Sequence, residues 1–153
     1  MKAPVRRESL DQVIVFETIE HLMDDGKLVA DLAGLLEPGG TILLTAPYKH
    51  HRALWGEKLS EVEDGGHVRW GYTHDDVRAI FEKSGLEVVA EEYISGLVSQ
   101  KLASLQFGLT RIHSQGAWGV TLPLRVLHPL DGPLTRATGY PHLSVGVVGR
   151  KPA

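Results

Sequence analysis

The sequence predicts an α/β fold built on an open, largely parallel sheet, and three observations carry that expectation. Val13-Ile14-Val15-Phe16 and Thr41–Ala46 are short, continuously apolar runs, the pattern of strands buried on both faces by helices. Between them, Leu28, Leu32, Leu35 and Leu36 recur at helical spacing, which makes strand, helix and strand a βαβ unit with a right-handed crossover. A second helix and strand, Thr73–Gly85 and Leu86–Ile94, continue the alternation.

Taken in order, residues 1–10 are polar and lead into the first strand. Past Phe16 the character changes, and Glu17, Glu20 and His21 stand where the strand gives way to a helical turn. Offsets of three and four bring such groups together across a turn, and the carboxyl ends of strands are where open α/β sheets bind ligands. Asp24-Asp25-Gly26 offers N-cap candidates or a short break before the first helix. Glu37-Pro38-Gly39-Gly40 is expected to stop that helix, because proline cannot continue it and glycine permits positive φ. The second strand should end at Pro47. Residues 48–72 have no clean period and hold His50, His51, Trp55, His67, Trp70 and Tyr72, so they read as a functional loop or lid.

Thr73-His74-Asp75-Asp76 is a capping box, with Thr73 as N-cap and Asp76 at the third helical position. Val77, Ile80 and Phe81 form the stripe of this helix, and Gly85 closes it. Leu97–Leu109 is expected to be an amphipathic helix, followed by a mostly apolar loop punctuated by Pro123, Pro129, Pro133 and Pro141. His142–Lys151 alternates enough to fit an antiparallel partner.

The bulk numbers exclude several classes. The 153 residues suffice for one domain with a real core. Sixteen basic against nineteen acidic side chains give a formal charge of −3, which provides no electrostatic case for nucleic acid. Without cysteine there is no disulfide, thiolate metal site or cysteine nucleophile. No apolar run approaches the roughly 20 residues that span a bilayer, and the N-terminus has no apolar core after its charges, so the expectation is a cytoplasmic protein.

Three motifs together resemble the C-terminal half of class I S-adenosylmethionine-dependent methyltransferases, of the type 11, ubiquinone-biosynthesis-like kind. Asp-x-Val-x-x-x-Glu-x-x-Glu-His-Leu at 11–22 is similar to that family's fourth strand and following turn. Leu35-Leu36-Glu37-Pro38-Gly39-Gly40-Thr41, followed by Pro47, is similar to its helix-to-fifth-strand turn. The third match is His67 with Tyr72-Thr73, a helix ending Lys83-Ser84-Gly85-Leu86, and a closing Gly149-Arg150-Lys151-Pro152. The resemblance implies a partial Rossmann-like sheet, strands equivalent to 4-5-7-6 of the family's 3-2-1-4-5-7-6 order, with flanking helices. Residues 1–153 would form a single incomplete domain, with 96–139 as an insertion or lid between the last two strands. The family's glycine-rich cofactor turn, which belongs ahead of Asp11, has no counterpart in the sequence. A truncated form is therefore expected, with the apolar edge at Val13–Phe16 open to self-association.

By that resemblance the cofactor is S-adenosyl-L-methionine, with Phe16, Glu17 and Thr18 beside its methionine end. Glu-x-x-Glu-His implies a divalent metal (Mg²⁺, Mn²⁺ or Zn²⁺) on Glu17, Glu20 and His21, with His67 from the later loop. Alternatively the two acids favour a helix N-terminus while His21 hydrogen-bonds locally. His67 and His21 are the catalytic candidates, with His67 as general base toward the acceptor or else a solvated loop residue. Trp55, Trp70 and Tyr72 stack on a ligand ring or pack the loop, and His50 and His51 read as solvated. Residues 97–130 are either a lid for a lipid-like acceptor or a cover for one sheet face. With Lys101 and little else basic, the helix at Leu97–Leu109 argues against a membrane-surface helix. The function implied is methyl transfer to a small-molecule acceptor, oxygen before nitrogen or carbon. The alternatives are a non-catalytic remnant or interaction module that does not bind the cofactor alone, and a plain metal-binding domain.

Overall fold

A computed structural model describes residues 5–52 and 58–153 of the chain. Strands and helices run β1 (Leu10–Phe16), α1 (Asp25–Ala33), β2 (Leu36–Pro47), α2 (His74–Lys83), β3 (Glu87–Ile94), α3 (Leu97–Thr110), α4 (Ser114–Leu124), α5 (Asp131–Thr138) and β4 (Ser144–Arg150). Short 3₁₀ turns occupy Ile19–His21 and Arg125–Leu130. The sheet order is β1-β2-β4-β3, with β1 parallel to β2 and β4 antiparallel to β2. That is the 4-5-7-6 arrangement the motifs imply. The chain divides into two compact units, one of residues 1–49, 58–92 and 144–153, the other of 50–57 and 93–143. None of the helices among the described residues is long and apolar enough to cross a membrane.

In the first unit, α1 and α2 touch each other as well as the sheet, so they share one layer. Its core is apolar, with Ile19, Val29, Leu36, Ile42, Leu44, Val77 and Phe81 all fully buried. Local chemistry explains the helix ends. Asp24 caps α1 through Lys27 N at 3.0 Å. Thr73 and Asp76 close a reciprocal capping box on α2, and Gly85 follows at a φ of 76°. Phe81 lies against Gly149 of β4 so closely that a Cβ there would come within 2.5 Å of its ring.

Three expectations need correction here. The first helix ends at Ala33, so Leu35 and Leu36 are not part of its stripe. Leu36 already belongs to β2, opposite Leu10, and Pro38 favours extended backbone at Glu37, the residue before the proline. The register then shifts between Leu10 and Gln12, beside Gly40, where a Cβ would meet the Glu37, Leu10 and Asp11 carbonyls at 2.9–3.2 Å. Second, β1 is not buried on both faces: Val15 is buried, whereas Ile14 and Phe16 are 54% and 60% exposed. As the first strand of the sheet order it has β2 for its one neighbour among the described residues, and only alternate side chains reach the core.

Third, most of 110–139 is helix, not loop. Pro133 sits in the first turn of α5, where its missing N–H is not needed, and Pro123 lies one residue from the end of α4, which gives way to the 3₁₀ turn holding Pro129. In this second unit α3 packs on α4 and α5. The Asp131 carboxylate caps α3 from α5, accepting from Gly96 N, Val98 N, Ser99 N and Ser99 Oγ at 2.7–3.2 Å. Burial acts against that charge, but the bonds from Ser99, Gly96 and Val98 prevail and hold the carboxyl below its ordinary range.

Candidate functional site

The carboxyl end of β1 turns sharply. Glu17 takes a left-handed φ of 40° while its N–H donates to Thr45 O at 3.0 Å, and Thr18 Oγ1 donates back to Phe16 O at 2.7 Å. The 3₁₀ turn Ile19–His21 starts only after this kink. Glu17 is therefore outside the helical turn that its spacing to Glu20 and His21 suggests. Phe16, Glu17 and Thr18 instead form an exposed row.

Glu20 points inward, its side chain 1% exposed, with His21 Nε2 at 3.7 Å from Oε1. His21 Nδ1 donates to the Gly66 carbonyl at 3.0 Å, so the ring proton belongs on Nδ1 and Nε2 faces the carboxylate. His67 comes edge-on to His21, ring centroids 4.7 Å apart at 72°. Glu20, His21 and His67 each bring one donor atom within 4.8 Å of the others, an oxygen–nitrogen–nitrogen set able to hold a divalent cation. Of the four residues with predicted metal roles, the fold unites these three. Glu17 is not in the group.

What holds His67 there is a latch that the sequence did not reveal. Arg69 Nη1 meets Asp25 Oδ2 at 2.7 Å, and its Nη2 donates to the Leu22 and Met23 carbonyls at 2.6 and 3.0 Å. The Tyr72 hydroxyl joins the same Asp25 oxygen at 2.7 Å and also reaches the Ile19 carbonyl at 3.0 Å. Burial, and then the Asp25 carboxylate, push the Tyr72 phenol far above its ordinary range, so it stays a donor. Val68 N donates to Glu20 O at 2.9 Å and Met23 N to Glu63 Oε1 at 2.6 Å. At Gly71, φ is 124° and a Cβ would stand 2.2 Å from Pro47 O, so only glycine lets Tyr72 N reach that carbonyl at 2.8 Å.

The aromatic expectations divide. Tyr72 is 3% exposed, its ring packed in the core and its hydroxyl engaged in the latch. Trp70 is 44% exposed and lines an open cleft of about 610 Å³ with Arg69, Tyr72, Lys49 and the start of α2. Glu20, His21 and His67 are not among the lining residues of that cleft. His50 is exposed and His51 half-buried. Trp55 lies outside the described residues. Arg69 could have been suspected only from its place two residues past His67, because its partners lie more than forty positions back along the chain.

A family model described as a methyltransferase domain matches residues 1–91. A probable S-adenosylmethionine-dependent methyltransferase of Mycolicibacterium smegmatis is 28% identical over 54% of this chain and 36% of its own length. Phosphoethanolamine N-methyltransferase 2 of Haemonchus contortus, solved with S-adenosyl-L-methionine, is similar over 97% of this chain and 35% of that one, with a TM-score of 0.56 at 20% identity. An S-adenosylmethionine-dependent methyltransferase of Mesorhizobium loti gives a TM-score of 0.54 at 13% identity over 98% and 66% of the two chains. The cyclase SpnF gives 0.58 at 13% over 99% and 54%. The chain thus spans about a third of the curated relative and a third to two thirds of these structures. At such identities the structural likeness establishes the fold, on which different chemistries can be built.

Proposed function

The chain belongs to the class I S-adenosylmethionine-dependent methyltransferase family, and from that premise we propose that residues 1–153 supply the acceptor-facing half of a methyl-transfer site. The observation carrying this reading is the Glu20–His21–His67 cluster at the carboxyl end of β1. Phe16, Glu17 and Thr18 fit the cofactor's methionine end on one side only, being exposed together at the same strand end. Among the described residues no strand leads into a glycine-rich turn that would close the other side. S-adenosyl-L-methionine, when bound, supplies an electrophilic methyl group on a sulfonium.

The chain's own residues would hold the acceptor and take its proton. His21 is fixed by the Gly66 carbonyl with Nε2 as its basic atom, and the buried Glu20 carboxylate stabilises the imidazolium formed there. His67 packs edge-on and is carried by a loop that the Arg69–Asp25–Tyr72 latch secures. A histidine–carboxylate pair suits a small-molecule hydroxyl, which must lose its proton during attack, better than an amine with a ready lone pair. Most of the rate then comes from positioning. Among the described residues β1 pairs with β2 alone, and its other edge at Val13–Phe16 would accept a strand of a second copy.

Isothermal titration of S-adenosylhomocysteine into the chain, with methyl transfer to hydroxylated acceptors assayed alongside, tests the reading. Binding, and turnover that falls at least about a hundredfold in His21→Ala, is expected. Silence at millimolar ligand would leave a non-catalytic remnant or interaction module. A second reading rests on the same donors: Glu20, His21 and His67 would hold Mg²⁺, Mn²⁺ or Zn²⁺, which when bound acidifies a coordinated hydroxyl. Titrating Mn²⁺ or Zn²⁺ into wild type and Glu20→Ala decides it. Loss of binding in the variant is expected, and equal isotherms refute the site.

A further inference from the structure

We propose that the helical unit formed by α3–α5 docks on the surface of an anionic lipid bilayer. These helices leave much of their apolar surface unburied. Ten large apolar side chains between Leu105 and Leu134 are at least 40% exposed, among them Phe107, Ile112, Trp118, Leu122 and Val126. In α4 only Ala117 and Thr121 are buried, and in α3 only Gln100. Helices apolar on every side are stable where something apolar covers them, and exposed apolar patches of this size mark an interaction surface.

Charge selects the occupant. Residues 93–143 carry four basic side chains, Lys101, Arg111, Arg125 and Arg136, against one acid, Asp131, leaving twelve basic and eighteen acidic in the rest of the chain. All four cations are exposed, whereas Asp131 is spent capping α3. The surface these helices offer is therefore both apolar and cationic. Three of the four cations lie over aromatic rings, Lys101 5.2 Å from the Tyr140 centroid, Arg111 5.0 Å from that of Phe107 and Arg125 5.3 Å from that of Trp118. An aromatic ring beside a guanidinium suits the headgroup boundary, where the ring enters the acyl region and the cation stays with lipid phosphates. Lys101 alone argues against a membrane surface, but the helices that replace the expected loop bring Arg111, Arg125 and Arg136 to the same unit. A second copy fits less well. A two-fold interface sets the same patch against itself, so Arg111 and Arg125 would confront like charges with no acid to meet them.

The test is cosedimentation of the chain with phosphatidylcholine vesicles, with and without phosphatidylglycerol. Binding should be at least about tenfold tighter with the anionic lipid and should weaken as salt is raised. The double variant R111Q/R125Q should lose about tenfold on anionic vesicles. Trp118→Ser with Val126→Ser, both at exposed positions, should also release the protein while its circular dichroism stays unchanged. Lys27→Gln, outside these helices, should bind as wild type. Equal affinity for both vesicle types, no binding, or wild-type binding by R111Q/R125Q overturns the proposal. So does a dimer seen by light scattering that Trp118→Ser dissolves in a chain indifferent to lipid.

Discussion

Helices α2 and α4 have ten and eleven residues, yet α2 buries Val77 and Phe81 completely while α4 buries only Ala117 and Thr121 and leaves Trp118 half exposed. Helix α2 has a polar side that tells its apolar stripe where to face, and its capping box and closing glycine fix both ends. In α4, Trp118, Val120 and Leu122 interrupt any polar side, and His113 caps the helix through Gly116 N at 2.9 Å. The difference shows that apolar content does not measure burial. A helix is buried in proportion to the partner surface available to it, and α2 has β4 beneath it and α1 beside it.

The sharpest way to break this contrast is to truncate one large aromatic residue in each helix. Phe81→Ala removes a fully buried ring seated on Gly149 and should cost about 3–5 kcal/mol of unfolding free energy. Trp118→Ala deletes more atoms from an exposed position and should cost less than about 1 kcal/mol. Urea denaturation followed by circular dichroism measures both. Comparable losses would mean that the α4 surface is covered by the chain's own partners, which would also undercut the lipid proposal.

The same contrast explains what the sequence could disclose. The capping box at Thr73–Asp76, the strand runs and the closing Gly149 act through neighbours or through one close contact, so their residue types announce them. The Glu20–His21–His67 cluster was legible because a short motif and a loop histidine sit at recognisable places. The left-handed φ at Glu17 was not, since nothing in a glutamate advertises a conformation imposed by the Thr45 carbonyl. Nor was the Arg69 latch, whose three partners are assembled by the βα turn and mean nothing until that turn exists. The prolines of the helical unit misled for a related reason. Pro133 reads as a breaker in isolation and is harmless in a first turn.

Asp131 sharpens the comparison on a smaller scale, because α3 depends for its N-terminal cap on a carboxylate 35 residues away rather than on its own Gly96. Asp131→Asn keeps the shape but removes the charge that gathers Gly96, Val98 and Ser99, and should cost about 1–2 kcal/mol. The sign of the pH dependence follows from the direction of its shift. A carboxyl held below its ordinary range stabilises the fold at pH values above that of the unfolded chain, and the contribution is lost as pH falls through the folded value. The gap between wild type and Asp131→Asn in urea should therefore be full near neutrality and shrink below about pH 4. His142, whose proton affinity burial lowers against a smaller upward pull from the Asp131 charge, would gain on acidification a partner only in wild type, which widens the gap rather than closing it. A difference that stays constant down to that pH would assign the cap to shape alone, and α3 would then owe its start to packing against α4 and α5.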